Sequence, residues 1–289
     1  MKILYLALLV TLALGTTQVF AQDGSDEKEI IAIDLFSCPA TSDIFSPAER
    51  EAYCKALRNN VMAGIHESKR VQSLDVESDG ALSDEAKGRK SGKASYLELI
   101  TRGAKYALSG TLDNFTVNKR VNDDKSVTYT GSVSYTLKLI SLPEGTTVAT
   151  EQIKESTMAI FGPTGKTPQE LMTKLVEESK SSMETFVNNN FKLQGTIVQI
   201  ESVKKDKAET AYIDLGERRG IVKGQYFNVY VEVEIAGETS RKLIGRLKAK
   251  EVMSATRTLC DVTKGEKEVL KASKEGQKLI IVTDNVRIL

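Results

Sequence analysis

The sequence predicts an α+β protein, in which a mixed or antiparallel sheet with helices is followed by a small all-β barrel. Three observations predict this class. Residues 127–139 alternate apolar and polar side chains, as a half-buried antiparallel strand does. Signals for a helix start precede two amphipathic stretches in the first part of the chain. After residue 192 nearly every segment is a short strand bounded by glycine turns.

The first elements are a strand and a capped helix. Residues 29–36 (EIIAIDLF) form a short apolar run, which is typical of a buried strand. Ser46, Pro47 and Glu49 then supply the N-cap, the first-turn proline and the third-position glutamate of a capping box. We therefore expect a helix that begins there and continues to about residue 66.

Between the two capped helices, residues 70–157 predict more strands than helices. In order, the elements are a strand at 70–76, a polar loop at 79–93, a short helix at 94–102, a strand at 105–117 with a kink or bulge at Gly110, and strands at 127–139 and 146–157. Thr167, Pro168 and Glu170 repeat the capping pattern, so a second long helix begins there and ends near residue 188.

The last third of the chain predicts a barrel. Its apolar runs lie at 195–203, 209–214, 226–234, 241–252, 258–261 and 278–282. Six short strands with glycine turns between them are typical of a small barrel. The predicted division of the chain is a leader at 1–21, an α+β domain at 22–192 and a barrel domain at 193–289.

The N-terminus has the pattern of a secretory signal peptide. Lys2 precedes an apolar stretch at 3–14, and Val19 and Ala21 place small residues at a cleavage site before Gln22. Twelve residues of helix span roughly 18 Å, which is less than the ~30 Å of a membrane core. We expect export after cleavage near Ala21, to the periplasm or the exterior, and the residue after this site is not the cysteine of a lipid anchor.

The composition argues against several classes of function. The 289 residues carry 40 Lys+Arg and 39 Asp+Glu, a net charge of +1, so the basic excess of a nucleic-acid-binding protein is absent. One histidine, His66, and three cysteines do not make a zinc site. Gly162 and Gly165 lack the spacing of a phosphate-binding loop. We therefore predict no catalytic residue, no metal and no cofactor.

The cysteines suggest one crosslink. Cys38 and Cys54 are 16 residues apart, and in an oxidising compartment they are a candidate disulfide pair. The alternative is that Cys54 is a buried helix residue and Cys38 a thiol in a loop. Cys260 has the position of a core residue in a strand.

A basic glycine turn in the predicted barrel is the candidate partner-binding site. It comprises Arg218, Arg219, Gly220, Lys223 and Gly224, and its cations suit an anionic lipid headgroup, a glycan or an acidic protein face. The alternative is a solvated basic loop.

Two stretches of sequence resemble known families. Residues 28–190, through IIAIDLF and ALSGTLDNF, resemble the domain shared by the TolB N-terminal region, the curli secretion lipoproteins and the middle of flagellar assembly protein T. Residues 211–216 (AYIDLG) and 220–230 (GIVKGQYFNVY) resemble the C-terminal barrel of flagellar assembly protein T and other SH3-like modules. These resemblances imply an envelope protein that binds or assembles others and is not an enzyme.

The predicted function is therefore that of a non-catalytic, exported binding or assembly module of a bacterial cell-envelope complex. Its partner would be an envelope protein, without nucleic acid, and peripheral membrane association is an option. Two alternatives stay open: a subunit of an outer-membrane export assembly, and a hydrolase that uses paired carboxylates.

Overall fold

Two β-sheets, each with its own hydrophobic core, organise the chain. The computed structural model describes residues 21–22, 28–82, 84, 95–157 and 162–284. The predicted leader lies outside these residues except for Ala21, and so does most of the predicted polar loop at 79–93. Helices and sheets occur together, which confirms the α+β class.

The strands, in chain order, are β1 (Ala21–Gln22), β2 (Ile30–Ile33), β3 (Gln72–Asp75), β4 (Ala104–Val121), β5 (Val127–Ser141), β6 (Thr146–Ser156), β7 (Lys192–Lys204), β8 (Lys207–Ile213), β9 (Tyr226–Ile235), β10 (Glu238–Ser254), β11 (Arg257–Lys264) and β12 (Ile280–Asp284). The helices are α1 (Pro47–Glu67), α2 (Tyr96–Thr101), α3 (Pro168–Asn190) and α4 (Glu266–Lys274).

The first sheet is mixed, with the order β3-β2-β4-β5-β6. β2 is parallel to β3 and β4, whereas β5 is antiparallel to both of its neighbours, β4 and β6. The predicted alternation along β5 is confirmed from residue 133 onward, because Val133, Tyr135, Leu137 and Leu139 are all fully buried. Residues 127–131 are all partly buried and do not alternate. These side chains share one hydrophobic core with residues of α1 and α3.

Both predicted helix starts are confirmed. The Ser46 hydroxyl accepts from the Glu49 backbone, and the Glu49 carboxylate accepts from the Ser46 backbone at 2.8 Å, which completes a capping box. The Thr167 hydroxyl caps α3 in the same way, at 3.1 Å from the Glu170 nitrogen. The Glu170 carboxylate differs, since it accepts from the nitrogen of Lys166 and not from the cap residue.

Glycine permits a close approach at two places in this first part. A Cβ on Gly64 of α1 would stand 2.3 Å from the Lys180 carbonyl oxygen, so α1 and α3 contact each other there through the glycine. The predicted bulge at Gly110 is wrong in position: the register of β4 against β5 shifts between Leu112 and Asn114. Gly110 instead leaves room for the ring of Phe36, which a Cβ would meet at 2.3 Å.

The second sheet closes on itself. Its strands follow the order β7-β12-β9-β10-β11-β8, and β8 pairs with β7 again, so the ring has no open edge between these strands. β1 adds a two-residue parallel pairing to the start of β7. The predicted strands are all present, but the helix α4 was not predicted. It packs Val269, Leu270 and Ala272 into the barrel core.

Candidate functional site

The two sheet-bearing parts of the molecule meet where α1 ends. Ser68 caps α1 with its hydroxyl on the Ile65 carbonyl at 2.6 Å, and Lys69 takes a left-handed conformation (φ 57°) that turns the chain toward β3. This turn lies against the segment between β8 and β9, which contains a single 3-10 turn, Glu217–Arg219. Lys69 and Glu217 form an ion pair across the joint at 2.8 Å.

At Gly220 the barrel segment comes very near the end of α1. The φ of Gly220, +70°, is a left-handed conformation, which glycine adopts without strain. A Cβ at this position would stand 1.9 Å from the carbonyl oxygen of Ser68. The absence of a side chain at residue 220 is therefore what lets the barrel segment reach α1.

Arg70 and Gln225 connect the two parts inside the joint. Arg70 is 2% exposed and donates to the Phe191 carbonyl at 3.4 Å and to Gln225 Oε1 at 3.1 Å. Gln225 is 1% exposed, and its Nε2 donates to the carbonyls of Tyr226 and Asp284 at 3.2 and 2.8 Å. One buried amide thus connects the first part of the chain to two strands of the barrel.

Buried cations make the joint electrostatically unusual. Burial lowers the pKa of Arg70 to about 10, with the nearby charge of Glu184 opposing this shift and that of Arg219 adding to it. Burial and the charge of Arg70 lower the pKa of Lys192, at the start of β7, to about 8. The two parts are therefore held together at a site where positive charge is disfavoured.

A cleft of about 740 Å³ opens beside the joint. Its walls are the end of α1, one face of α3 and the segment that precedes β9. The acidic residues that line it are Glu67, Glu177, Glu178, Glu184 and Glu217, and the basic ones are Lys69, Arg70 and Lys180. Ile221 and Val222 add apolar surface, and Val222 is half exposed.

The acidic side of the cleft lies along α3. The lysines of this helix pair with other acids: Lys174 with Glu170 at 2.8 Å and Lys180 with Glu67 at 2.6 Å. In the part of the chain that the structure describes, no ion pair neutralises Glu177 or Glu178. Both are exposed, so this wall presents two unpaired carboxylates to a ligand.

The structure places the predicted basic turn at the joint rather than on a separate surface. Of its five residues, Gly220 lines the cleft and Arg219 is 6% exposed. Arg218 and Lys223 are exposed, and Gly224 donates to the Ala249 carbonyl at 2.8 Å. Burial and the charges of Arg219, Lys69 and Arg218 lower the pKa of Lys28, which places these cations near one another.

Sequence reasoning missed Arg70, Gln225 and the α3 wall. The spacing of Glu177, Lys180 and Glu184 is that of the solvent face of an amphipathic helix. This spacing is the same whether the face meets only water or also lies opposite another part of the molecule. The only signal for Gln225 is its place directly after Gly224 in a turn.

Two other residues considered in the sequence analysis, Gly165 and His66, do not line the cleft. A Cβ on Gly165 would stand 2.4 Å from the Leu171 nitrogen, so this glycine allows the turn before α3. His66 is exposed at the end of α1. Among the described residues, no group of three or more His, Cys, Asp or Glu side chains is placed to hold a metal ion. In the same residues, no helix combines the length and apolar composition that a membrane span requires.

No protein-family model and no curated protein matches the chain. The resemblances to the families named above therefore stay predictions.

Solved structures match about half of the chain. They include the PelC dodecamer of Paraburkholderia phytofirmans (12% identity, 56% of this chain and 92% of that chain, TM-score 0.33) and the lipoprotein GNA1162 of Neisseria meningitidis (8%, 47% and 87%, 0.34). The C-terminal domain of LpoB from Salmonella enterica is a further match (12%, 46% and 85%, 0.26). A likeness of this degree does not establish a shared function.

Proposed function

We propose that this protein is a non-catalytic, exported binding or assembly module of a bacterial cell-envelope complex. The cleft between its two parts receives a segment of an envelope protein partner. One observation carries the proposal: the cleft is formed by both parts together, and its walls are charged and accessible. Concave sites at the junction of two folded units are common places for ligands to bind.

The chemistry of the cleft favours a basic and apolar segment. Glu177 and Glu178 offer carboxylates to lysine or arginine side chains, while the half-exposed Val222 offers apolar contact. The exposed cations Arg218 and Lys223 lie in the same segment as Val222, and there they suit an acidic residue of the partner or an anionic headgroup.

The residues of the cleft argue for binding rather than hydrolysis. A carboxylate-dependent hydrolase needs one carboxyl group whose pKa is raised, so that it can act as a general acid. In the cleft, Lys69 donates to Glu217 and lowers the pKa of this carboxyl, which is the opposite direction. Export rests on the leader-like N-terminus, and the location we propose is the periplasm or the exterior.

Crosslinking in cells tests the proposal. The tagged protein is crosslinked in envelope fractions of its host and purified, and mass spectrometry identifies what accompanies it. We expect one reproducible envelope protein, whose recovery falls at least tenfold when Glu177 and Glu178 are both changed to lysine. Glu234 and Glu268, changed together to lysine, are the matched control, because both are exposed, neither lines the cleft and the change in net charge is the same.

Two results would contradict this function. If the protein is recovered alone, the binding role fails. If a partner is recovered equally with the double variant, the cleft is not where that partner binds.

A further inference from the structure

Cys38 lies in the segment after β2, and this segment contacts the part of α1 that carries Cys54. Cys38 follows β2, and its Sγ donates to the carbonyl of Arg50 at 3.7 Å. Arg50 lies one turn before Cys54, on the same side of the helix. Each thiol also shifts the pKa of the other, as expected of two side chains that lie close together. The structure thus brings together the two cysteines that are 16 residues apart in the sequence.

The segment that carries Cys38 is held on α1 at both ends. Arg50 Nη1 donates to the carbonyl of Ala40 at 2.7 Å, next to the thiol. Farther along, Phe45 is 2% exposed, and its ring packs edge-on against Tyr53, with 5.2 Å between centroids. Because these contacts already fix the segment, a covalent bond between the sulfurs would add to an arrangement that the fold maintains.

The three cysteines differ in accessibility. Cys38 is partly exposed, Cys54 is 6% exposed, and Cys260 is fully buried in the barrel core. An oxidant in solution therefore meets Cys38 first. All three are free thiols in this structure.

We propose that Cys38 and Cys54 form a disulfide, which fastens the segment after β2 to the first half of α1. Its formation in the cell rests on the export that the proposed function includes, whereas its formation in purified protein does not. The oxidant is a disulfide, either glutathione disulfide or the disulfide of an envelope oxidoreductase. The Cys38 thiolate attacks one sulfur of that disulfide, forms a mixed disulfide and releases the first thiol. The Cys54 thiolate then attacks Cys38 Sγ and releases the second thiol.

Both steps of this reaction need a thiolate from a thiol that burial disfavours. Burial raises the pKa of Cys38, and burial together with the neighbouring Cys38 raises the pKa of Cys54 to about 12 while both are thiols, so little thiolate exists at neutral pH. Because the thiolate is the attacking species, we expect ring closure to accelerate as the pH rises from about 7 to about 9.

Peptide mapping of the purified protein tests the proposal. The protein is incubated with glutathione disulfide, alkylated under denaturing conditions and digested with trypsin. Cleavage after Lys28, Arg50 and Lys55 separates the two cysteines into different peptides, 29–50 and 51–55. We expect these two peptides to be joined, and Cys260 to be recovered alkylated in the peptide 258–264. The oxidised protein should unfold about 5 °C above the reduced protein.

Two variants keep the test decisive. Cys260→Ala should give the same joined peptides and the same temperature shift as the parent. Cys38→Ser changes the more exposed of the two cysteines. This variant should keep the fold but show neither the joined peptides nor the temperature shift. A glutathione adduct that stays on Cys38, a bond to Cys260, or three unmodified thiols would each overturn the proposal. The same mapping on protein taken from the envelope fraction then shows separately whether export supplies the oxidant.

Discussion

Gly220 faces the backbone carbonyl of Ser68 so closely that a Cβ at residue 220 would lie 1.9 Å from its oxygen. These residues come from the two different parts of the molecule and are far apart in the sequence. Their contact, the Lys69–Glu217 ion pair and the Arg70–Gln225 hydrogen bond form a single joint, which sets one side of the cleft.

The first prediction concerns this contact. Gly220→Ala places a Cβ against the Ser68 oxygen and also strains a left-handed backbone, so we expect the free energy of unfolding to fall by about 2–3 kcal/mol. Gly224→Ala is the matched control, because its φ is +90° but a Cβ there meets nothing within 4 Å. We expect a loss of about 1 kcal/mol for this control. Chemical denaturation measures both, and equal losses would mean that the contact with Ser68 adds nothing.

The second prediction concerns the buried hydrogen bond between Arg70 and Gln225. Arg70→Met relieves the burial of a charge, but it also leaves two buried acceptors, the Phe191 carbonyl and Gln225 Oε1, without this donor. Because we expect the lost hydrogen bonds to outweigh the relieved charge, the unfolding free energy should fall by about 2 kcal/mol. Gln225→Met should cost a similar amount, since it also frees the carbonyl of Asp284. In a double-mutant cycle the two changes should couple by about 1 kcal/mol. Strict additivity would show that the two side chains do not act together.

The third prediction concerns Lys192 and pH. Its pKa of about 8 in the folded protein is lower than the ordinary 10.5, so the unfolded chain binds more protons between these values. Stability from this residue therefore rises with pH above about 8. Lys192→Met should raise the unfolding free energy by about 1–2 kcal/mol at neutral pH, and this gain should shrink toward a pH of about 9.5.

Urea denaturation at a series of pH values checks the behaviour of Lys192. Lys223→Met, at an exposed lysine, should give a difference from the parent that does not change with pH. A constant difference for Lys192→Met as well would contradict the assignment of a buried, charged lysine at this position.

The fourth prediction concerns the crossing of α1 and α3. Alanine normally stabilises a helix by about 1 kcal/mol relative to glycine. At Gly64 the new Cβ would stand 2.3 Å from the Lys180 carbonyl, so we expect Gly64→Ala to lower the melting temperature by about 5 °C. Asn59→Ala, at an exposed position of the same helix, should leave the melting temperature unchanged or slightly higher. Calorimetry measures both, and a stabilised Gly64→Ala protein would mean that the helices shift apart at no cost.

Local signals in the sequence predicted most of the fold. The capping residues Ser46 and Glu49 act on their own helix, and the alternation along β5 reflects one buried face, so both are legible without the rest of the chain. The bulge lies near Asp113 and not at Gly110. Glycine is needed at residue 110 for a different reason, the close approach of the Phe36 ring, which only the folded chain brings near. α4 was missed because it has only nine residues, and so short a helical pattern is hard to distinguish among six strands.

The candidate site was much less predictable. Gly220 was identified because glycine marks turns, but its partner Ser68 lies far away in the sequence and carries no corresponding signal. Arg70 was predicted at the first position of a strand and Gln225 in a turn, and for polar residues at such places exposure is the usual expectation. Their burial follows only from the meeting of the two parts, which is a long-range property.

The order of strands in the barrel has a consequence for how the chain is made. β12 lies between β7 and β9, although β10, β11 and α4 separate it from the end of β9 in the sequence. Until residues 280–284 have been synthesised, β7 and β9 each have an unpaired edge, and the ring stays open. A chain that ends before residue 280 therefore exposes the unpaired edges of both β7 and β9, where other strands can pair. The five residues of β12 cover both edges.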